Sequence, residues 1–298
     1  MKVIITGASG FVGQNLSKYL TEEQVDVLVI SLRNKWNCPK EADAIIHLAG
    51  KAHDTEDTSA ADEYFKVNTE LTKKIFDDFL HSDIKDFIYF SSVKAVADEV
   101  NDILDENQLA KPKTSYGKSK LKAEEYLLSK TLSDEKRVFI IRPCMIHGPG
   151  NKGNLNLLYK MVKKGIPWPL AAFDNERSFL SIDNLNFLIA EILKNKEIKS
   201  GIYNFADDDF LSTNELIEII SEVLKKKTRQ LKINKFIINF FSKIGDKLKL
   251  SLNSERLKKL TENYKVSNQK IKQQLNIRHL PMSTKEGLIK TIKSFEHK

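Results

Sequence analysis

A doubly wound α/β fold, with a parallel sheet covered by helices on both faces and a smaller C-terminal lobe, is what this sequence predicts. Three observations lead there. Short continuous apolar runs alternate with longer helix-patterned segments through the first half of the chain. A glycine-rich turn directly follows the first of those runs. After Pro149 the punctuation changes, and Gly150, Gly153, Gly165, Pro167 and Pro169 break the chain into shorter pieces. Apolar runs without polar alternation read as strands buried on both faces, which parallel sheets join by crossover helices.

The run KVIITG is the opening strand, and a turn and a helix through Gly13 to Leu20 follow it. VDVLVISL, Val25 to Leu32, is the second strand. Ala44 to Leu48 is the third, reached by a connection containing Trp36 and Pro39. Glu63 to Leu80 is helical and carries Phe65, Leu71, Ile75, Phe76 and Phe79. DFIYFSS is a fourth strand ending at Ser91 and Ser92, and a helix from Tyr116 to about Leu128 precedes the fifth, RVFIIRP. Beyond it, Asp183 to Leu193 is helical, GIYNFA is a strand, and Thr213 to Leu224 is amphipathic. Residues 1–150 are therefore expected to form the larger domain and 151–298 mainly the smaller lobe, with some strands returning to the main sheet. In KFIINFFSKIGDKLKL, the side chains of Phe236, Ile237, Phe240, Phe241, Ile244 and Leu248 share one helical face. Such a face can lie on a membrane surface. Packing against the lobe is the simpler use and the expectation.

Composition excludes several classes. With 298 residues, 41% hydrophobic and 30% charged, the chain can bury a sizeable core and is not of disordered composition. Cys38 and Cys144 are its only cysteines, so no disulfide framework is expected and a reducing cytoplasm is the natural setting. No segment reads as a membrane span, and Met1 leads at once into the first strand, leaving no room for a cleavable signal. His47, His53, His81 and His147 are scattered, and no metal constellation is expected. The formal charge is +8, with lysine and arginine recurring after Lys225. That favours anionic partners. No recognition helix or stacking platform accompanies the charge, so nucleic acid is not expected.

Strand ends are where such a sheet binds ligands, and Gly7, Ser91 and Pro143 fall near them. In TGASGFVG, Gly7 can make the turn, Gly10 can let a pyrophosphate approach backbone N–H groups, and Gly13 can permit close helix packing. The helix opening at Phe11 and Val12 then stabilises phosphate charge with its N-terminus. That pattern predicts a dinucleotide site in residues 1–150. Past the second strand, Ser31 stands near the position where an NAD site carries an acidic residue, and Arg33 follows. Arg33 can pair with a 2′-phosphate, which favours NADP(H) over NAD(H).

Tyr116 and Lys120 lie one turn apart on one helix face. Lys120 can lower the phenol pKa and bind ribose hydroxyls, while Tyr116 exchanges a proton with a carbinol or ketone as hydride moves to or from nicotinamide. Ser92, at a strand end, can orient the substrate oxygen, and Lys94 can approach a phosphate or sugar.

The combination TGASGFVG, HLAG, KVNTELTKK, FSSV, YGKSK, RPCMIHGPG and RSFLSIDNL, covering almost the whole chain, resembles extended short-chain dehydrogenases/reductases of the NAD-dependent epimerase/dehydratase superfamily. The resemblance implies a Rossmann fold and a Ser92, Tyr116 and Lys120 catalytic group, although many epimerases place the catalytic hydroxyl where Val93 stands. It implies that Leu48, Ala49, Gly50, Asn68 and Pro143 serve the dinucleotide side. For a lobe that binds nucleoside diphosphate sugars it implies contacts from Arg177, Asn154, Leu155 and Arg256, with Lys94 beside them. The nearest pattern is similar to bacterial reductases of UDP-4-keto-6-deoxy-N-acetylhexosamines that supply surface polysaccharide. The alternatives are a UDP-hexose or UDP-N-acetylhexosamine 4-epimerase with retained NAD, and a non-catalytic dinucleotide-binding module. A UDP-sugar is the expected partner, and homodimerisation through two helices is common in that family.

Overall fold

The computed structural model describes residues 1–33, 36, 39, 41–51, 61–151, 155–248 and 253–296. The expected readings of Cys38, His53, Gly153 and Asn154 lie outside the described residues.

Strand β1 (Lys2–Thr6) leads through the glycine turn into helix α1 (Phe11–Glu22), then β2 (Asp26–Ile30) and β3 (Ala44–His47). Helices α2 (Ala61–Tyr64) and α3 (Leu71–Leu80) are joined without a break by a π-helical segment, Phe65–Glu70. Strand β4 (Asp86–Phe90), a 3-10 turn at Val93–Ala95, and the two-residue β5 (Ile103–Leu104) come next. They are followed by α4 (Ser115–Leu128), β6 (Arg137–Pro143), β7 (Met145–His147), α5 (Leu155–Lys163) and β8 (Arg177–Ser181). Then come α6 (Ile182–Lys194), β9 (Gly201–Phe205), β10 (Phe210–Leu211), α7 (Thr213–Val223), α8 (Lys235–Leu248) and α9 (Ser254–Thr261). Strand β11 (Lys265–Val266), α10 (Gln269–Leu275) and α11 (Thr284–Lys293) complete the chain.

Six strands form the main sheet in the order β2-β1-β3-β4-β6-β9, every pair parallel. The order reverses at β1, the arrangement that opens a crevice beyond the carboxyl ends of the strands. Alternation along each strand builds a core on either face. Val3, Ile5, Ile88, Phe90, Phe139 and Ile141 point into one, with Leu16 of α1 and Leu185 of α6. Ile4, Ile45, Phe87, Tyr89, Val138 and Ile140 point into the other, with Ile75, Phe76 and Phe79 of α3.

The smaller lobe has its own core, in which Leu158, Trp168, Phe179, Ile217, Leu257 and Ile292 come together. A small sheet, β10-β8-β7, lies at its base, and β11 pairs with β5 of the larger domain. Strand β9, from the C-terminal half, pairs with β6 in the main sheet.

One expectation is overturned here. Helix α8 does not bury the Phe236, Ile237, Phe240, Phe241, Ile244 and Leu248 face in the lobe. It buries Ile238, Ser242 and Gly245 instead and leaves Phe236, Ile237, Phe240, Phe241 and Leu248 exposed. The lobe core is already filled by α5, α7 and α11, so α8 needs only a narrow contact with it. No helix among the described residues is long and apolar enough to cross a membrane.

Candidate active site

Two cavities open at the carboxyl ends of the main strands. The one at the glycine turn has a volume of about 750 Å³, and its wall includes Gly7, Gly10, Ser31, Arg33, Leu48, Ala49 and Gly50. Gly7 has φ +74°, and a Cβ there would stand 2.6 Å from the Ala49 backbone nitrogen. A Cβ on Gly13 would stand 2.4 Å from the Gly7 carbonyl oxygen. The first helical turn therefore lies directly on the loop, and the cradle exists because two side chains are absent from it. Phe11 packs beneath the 148–150 loop, its ring 3.3 Å from where a Gly148 Cβ would be. Val12 packs against the core below. These features fit the adenosine diphosphate half of a dinucleotide. Sequence reasoning missed Lys66, Glu70 and Lys74, which line the same wall from the π-helical segment and α3.

The second cavity, about 400 Å³, lies between the domain and the lobe. Ser92, Lys94, Tyr116, Pro143, Leu155 and Arg177 all line it. Pro143 thus faces this cavity rather than the glycine-turn one. Cys144 lines it too, with its thiol pushed up by burial.

Tyr116 reaches its place through the local chemistry of its helix. Thr114 caps α4 by accepting from the Gly117 N–H at 3.2 Å, and Asp98 in turn accepts from the Thr114 hydroxyl at 3.1 Å. Gly117 lets the helix lie against the 3-10 turn, since a Cβ there would be 2.3 Å from the Lys94 carbonyl oxygen. That approach sets Tyr116 beside Ser92 at the cavity wall. Burial raises the Tyr116 pKa, and the Ser92 hydroxyl opposes the shift. The expected lowering by Lys120 is therefore not what governs the phenol in this state.

Lys120 is 5% exposed and donates to the Phe90 carbonyl oxygen at 2.8 Å. Burial lowers its pKa to about 8, with Glu124 pulling the other way. A Cβ on Gly50 would lie 3.2 Å from its Nζ and 3.0 Å from Asn68 Oδ1. The ammonium thus stands beside the wall of the glycine-turn cavity, while Tyr116, one turn earlier, opens on the other. Asn68 accepts from the Lys51 N–H at 2.7 Å and donates to the Lys51 carbonyl at 3.1 Å and to Ser119 Oγ at 3.0 Å. It ties the loop after β3 to α4.

The neighbouring Ser91 has another task. Its hydroxyl donates to Glu124, which also takes the Arg142 guanidinium, Nε to Oε1 at 3.0 Å. Both ends of that ion pair are buried. Ser92, not Ser91, is thus the serine at the cavity.

On the lobe side, Arg177 donates to the Lys259 carbonyl, and burial lowers its pKa against the opposing pull of Glu262. Lys94 donates to the Asp98 carbonyl at 2.8 Å and lies 4.2 Å from the Tyr264 ring centroid. Glu255, Lys258 and Lys259 of α9 line the cavity, and Arg256, exposed on the same helix, does not. None of these three was singled out in the sequence, where they are one lysine-rich stretch among several.

His47 and His147 have structural places. His47 is buried between Thr6 Oγ1 at 2.7 Å and Thr72 Oγ1 at 3.0 Å, and burial lowers its pKa to about 3. His147 is buried against Thr291 Oγ1 at 2.9 Å. Among the described residues no cluster of His, Cys, Asp or Glu could hold a metal.

The model of the NAD dependent epimerase/dehydratase family matches residues 3–206. The UDP-glucose 4-epimerase of Vibrio cholerae is 28% identical, covering 98% of this chain and 95% of its own. The N-acetyl-alpha-D-glucosaminyl-diphospho-ditrans,octacis-undecaprenol 4-epimerase of Escherichia coli O157:H7 is also 28% identical, over 86% of this chain and 84% of its own. Among solved structures, UDP-glucuronic acid 4-epimerase from Bacillus cereus in complex with NAD superposes with a TM-score of 0.76, 18% identity, and coverage of 100% of this chain and 99% of that one.

Proposed function

Since this chain belongs to the NAD-dependent epimerase/dehydratase family and is an NAD(P)-dependent enzyme acting on nucleotide sugars, we propose that it epimerises C4 of a UDP-hexose or UDP-N-acetylhexosamine. The observation that carries this reading is that Ser92 and Tyr116 together line the wall of the interlobe cavity, one helical turn from Lys120. Epimerisation is chosen over reduction of a 4-keto sugar because two relatives matched over most of their length are 4-epimerases by name.

Bound NAD supplies the acceptor and the donor of the C4 hydride. The residues of this chain do the rest. Gly7, Gly10 and Gly13 would admit the diphosphate, and Lys120, beside Gly50, would donate to the ribose hydroxyls. Tyr116 takes the proton of the C4 hydroxyl and later returns it, while Ser92 holds the same oxygen. Burial keeps the free phenol protonated. Taking a proton therefore requires positive charge close by, of which Lys120 is this chain's source. Arg177, Lys258 and Lys259 offer charge to the substrate diphosphate, and Leu155 a wall to the nucleotide. Ser31, Arg33, Lys66 and Lys74 would also accommodate a 2′-phosphate, which supports NADP(H) as the second cofactor reading.

The test incubates the purified enzyme with UDP-glucose, UDP-N-acetylglucosamine or a UDP-4-keto-6-deoxy-N-acetylhexosamine, with NADH, NADPH or neither. Interconversion of C4 epimers without net cofactor consumption is the expected result. Stoichiometric loss of reduced cofactor with ketone reduction would replace epimerase by reductase. Nucleotide released on denaturation identifies the retained cofactor. Tyr116→Phe should keep both ligands and lose about 10²-fold to 10⁴-fold in turnover.

A further inference from the structure

Helix α8 carries an apolar surface that the fold leaves uncovered. Phe236, Ile237, Phe240, Phe241 and Leu248 are each between 46% and 78% exposed. They are five of the thirteen exposed large hydrophobic side chains among the described residues, gathered on one helix. Scattered exposed apolar residues need no explanation, whereas a contiguous patch marks a contact surface. With Ile244 they fall within an arc of about 140°, while the buried Ile238, Ser242 and Gly245 occupy about 60° on another side. The helix therefore holds the lobe with one face and presents a second, aromatic one outward.

Charge decides what the second face meets. Between residues 225 and 248 there are eight basic residues, Lys225, Lys226, Lys227, Arg229, Lys232, Lys235, Lys243 and Lys247, and one acidic residue, Asp246. That stretch holds nearly all of the chain's formal charge of +8. Two copies meeting through this face would set lysine against lysine across a self-complementary interface. Nucleic acid would satisfy the lysines and leave the phenylalanines in water. An anionic bilayer satisfies both, because its acyl boundary receives the aromatic stripe and its headgroups receive the flanking ammonium groups.

We propose that α8 is an interfacial anchor that docks this protein on an anionic phospholipid membrane. Helix α9 packs against α8 and contributes Glu255, Lys258 and Lys259 to the interlobe cavity, so docking places a wall of that cavity one helix away from the bilayer. The anchor does not depend on which sugar the cavity takes or on which reaction it performs.

The test is flotation of the full chain with vesicles of phosphatidylglycerol and phosphatidylcholine in equal parts, against pure phosphatidylcholine, at low and high salt. Wild type is expected to float with the anionic vesicles at low salt and to be released by salt. Phe236→Ser, Phe240→Ser and Phe241→Ser combined, and separately Lys235→Gln, Lys243→Gln and Lys247→Gln combined, should each lower partitioning at least about tenfold with unchanged circular dichroism. Should the aromatic triple variant fail to fold, Phe240→Trp keeps the test sharp, since its emission must shift to the blue on anionic vesicles. Failure of wild type to float, equal binding to neutral vesicles, retained binding by the folded aromatic variant, or no blue shift overturns the proposal. So does a lipid-free dimer that the aromatic substitutions convert to monomer, because the stripe would then belong to a second copy.

Discussion

Gly117 has no room for a methyl group, and that sets the position of the residue before it. A Cβ there would meet the Lys94 carbonyl oxygen at 2.3 Å, a backbone atom that cannot swing aside. Gly117→Ala must move α4 off the Val93–Ala95 turn and separate Tyr116 from Ser92. A displacement on the order of 1 Å of a reacting group costs about 10²-fold. The expected result is a kcat lower by at least that factor with little change in cofactor affinity, read by steady-state kinetics and nucleotide titration. Lys120 offers a test through pH. Its native pKa is about 8, and an unfolded lysine titrates near about 10.4. Between those values the unfolded chain binds more protons, so this group's contribution to stability rises with pH. Below the native pKa the cost of burying the charge is present in full. Lys120→Met removes the titration, so its thermal stability relative to wild type should decline from about pH 7 to about pH 10. A difference that stays flat would show that the ammonium is not desolvated.

At the scale of elements, α4 is held at its start and in its third turn by groups that the spacing of Tyr116 and Lys120 does not reveal. Its first turn rests on Thr114, Asp98 and Gly117, and its third is fixed by Glu124 between Ser91 and Arg142. Removing one partner of a buried ion pair strands the other, at a cost of about 3–5 kcal/mol. Glu124→Gln should therefore lose about that much in urea unfolding, while Glu125→Gln, exposed on the same helix, should stay within about 0.5 kcal/mol. The strands and the glycine turn were legible because buried parallel strands are nearly unbroken apolar runs and the turn needs residues without side chains. The joined α2–α3 helix was legible as an apolar stripe, but its π-helical segment was not, since one wider turn leaves no mark in a periodicity. Two-residue strands such as β5 and β11 are below any pattern. The face of α8 was misread for a physical reason: a stripe reports that a helix has two sides, not which side finds a partner.

The whole molecule is a domain and a lobe, with one cavity at their junction and another at the carboxyl ends of the main strands. The larger cavity draws on the domain alone, from Gly7 through Lys74. The smaller one draws on both, with Ser92 and Tyr116 from the domain and Arg177, Lys258 and Lys259 from the lobe. Across the junction Tyr264 donates to the Ala97 carbonyl oxygen at 2.6 Å and β11 pairs with β5, whereas α9 meets the domain through the exposed pair of Lys258 and Glu99. Exposed pairs of that kind contribute at most about 1 kcal/mol each. The junction therefore has little of its own to hold α9, and a ligand bridging it should rigidify what it touches. Native-state hydrogen exchange separates the two sites. NAD alone should slow exchange around residues 7–13 and 48–50 and leave 254–261 unchanged. A UDP-hexose added to the NAD-bound enzyme should slow 254–261, because α9 supplies three of the charged side chains on that wall. At a hundredfold excess over Kd, ligand binding adds about 2.7 kcal/mol to global stability, so openings of α9 should become rarer by up to about a hundredfold. Protection of 254–261 by NAD alone would show that the dinucleotide, not the sugar nucleotide, closes the lobe.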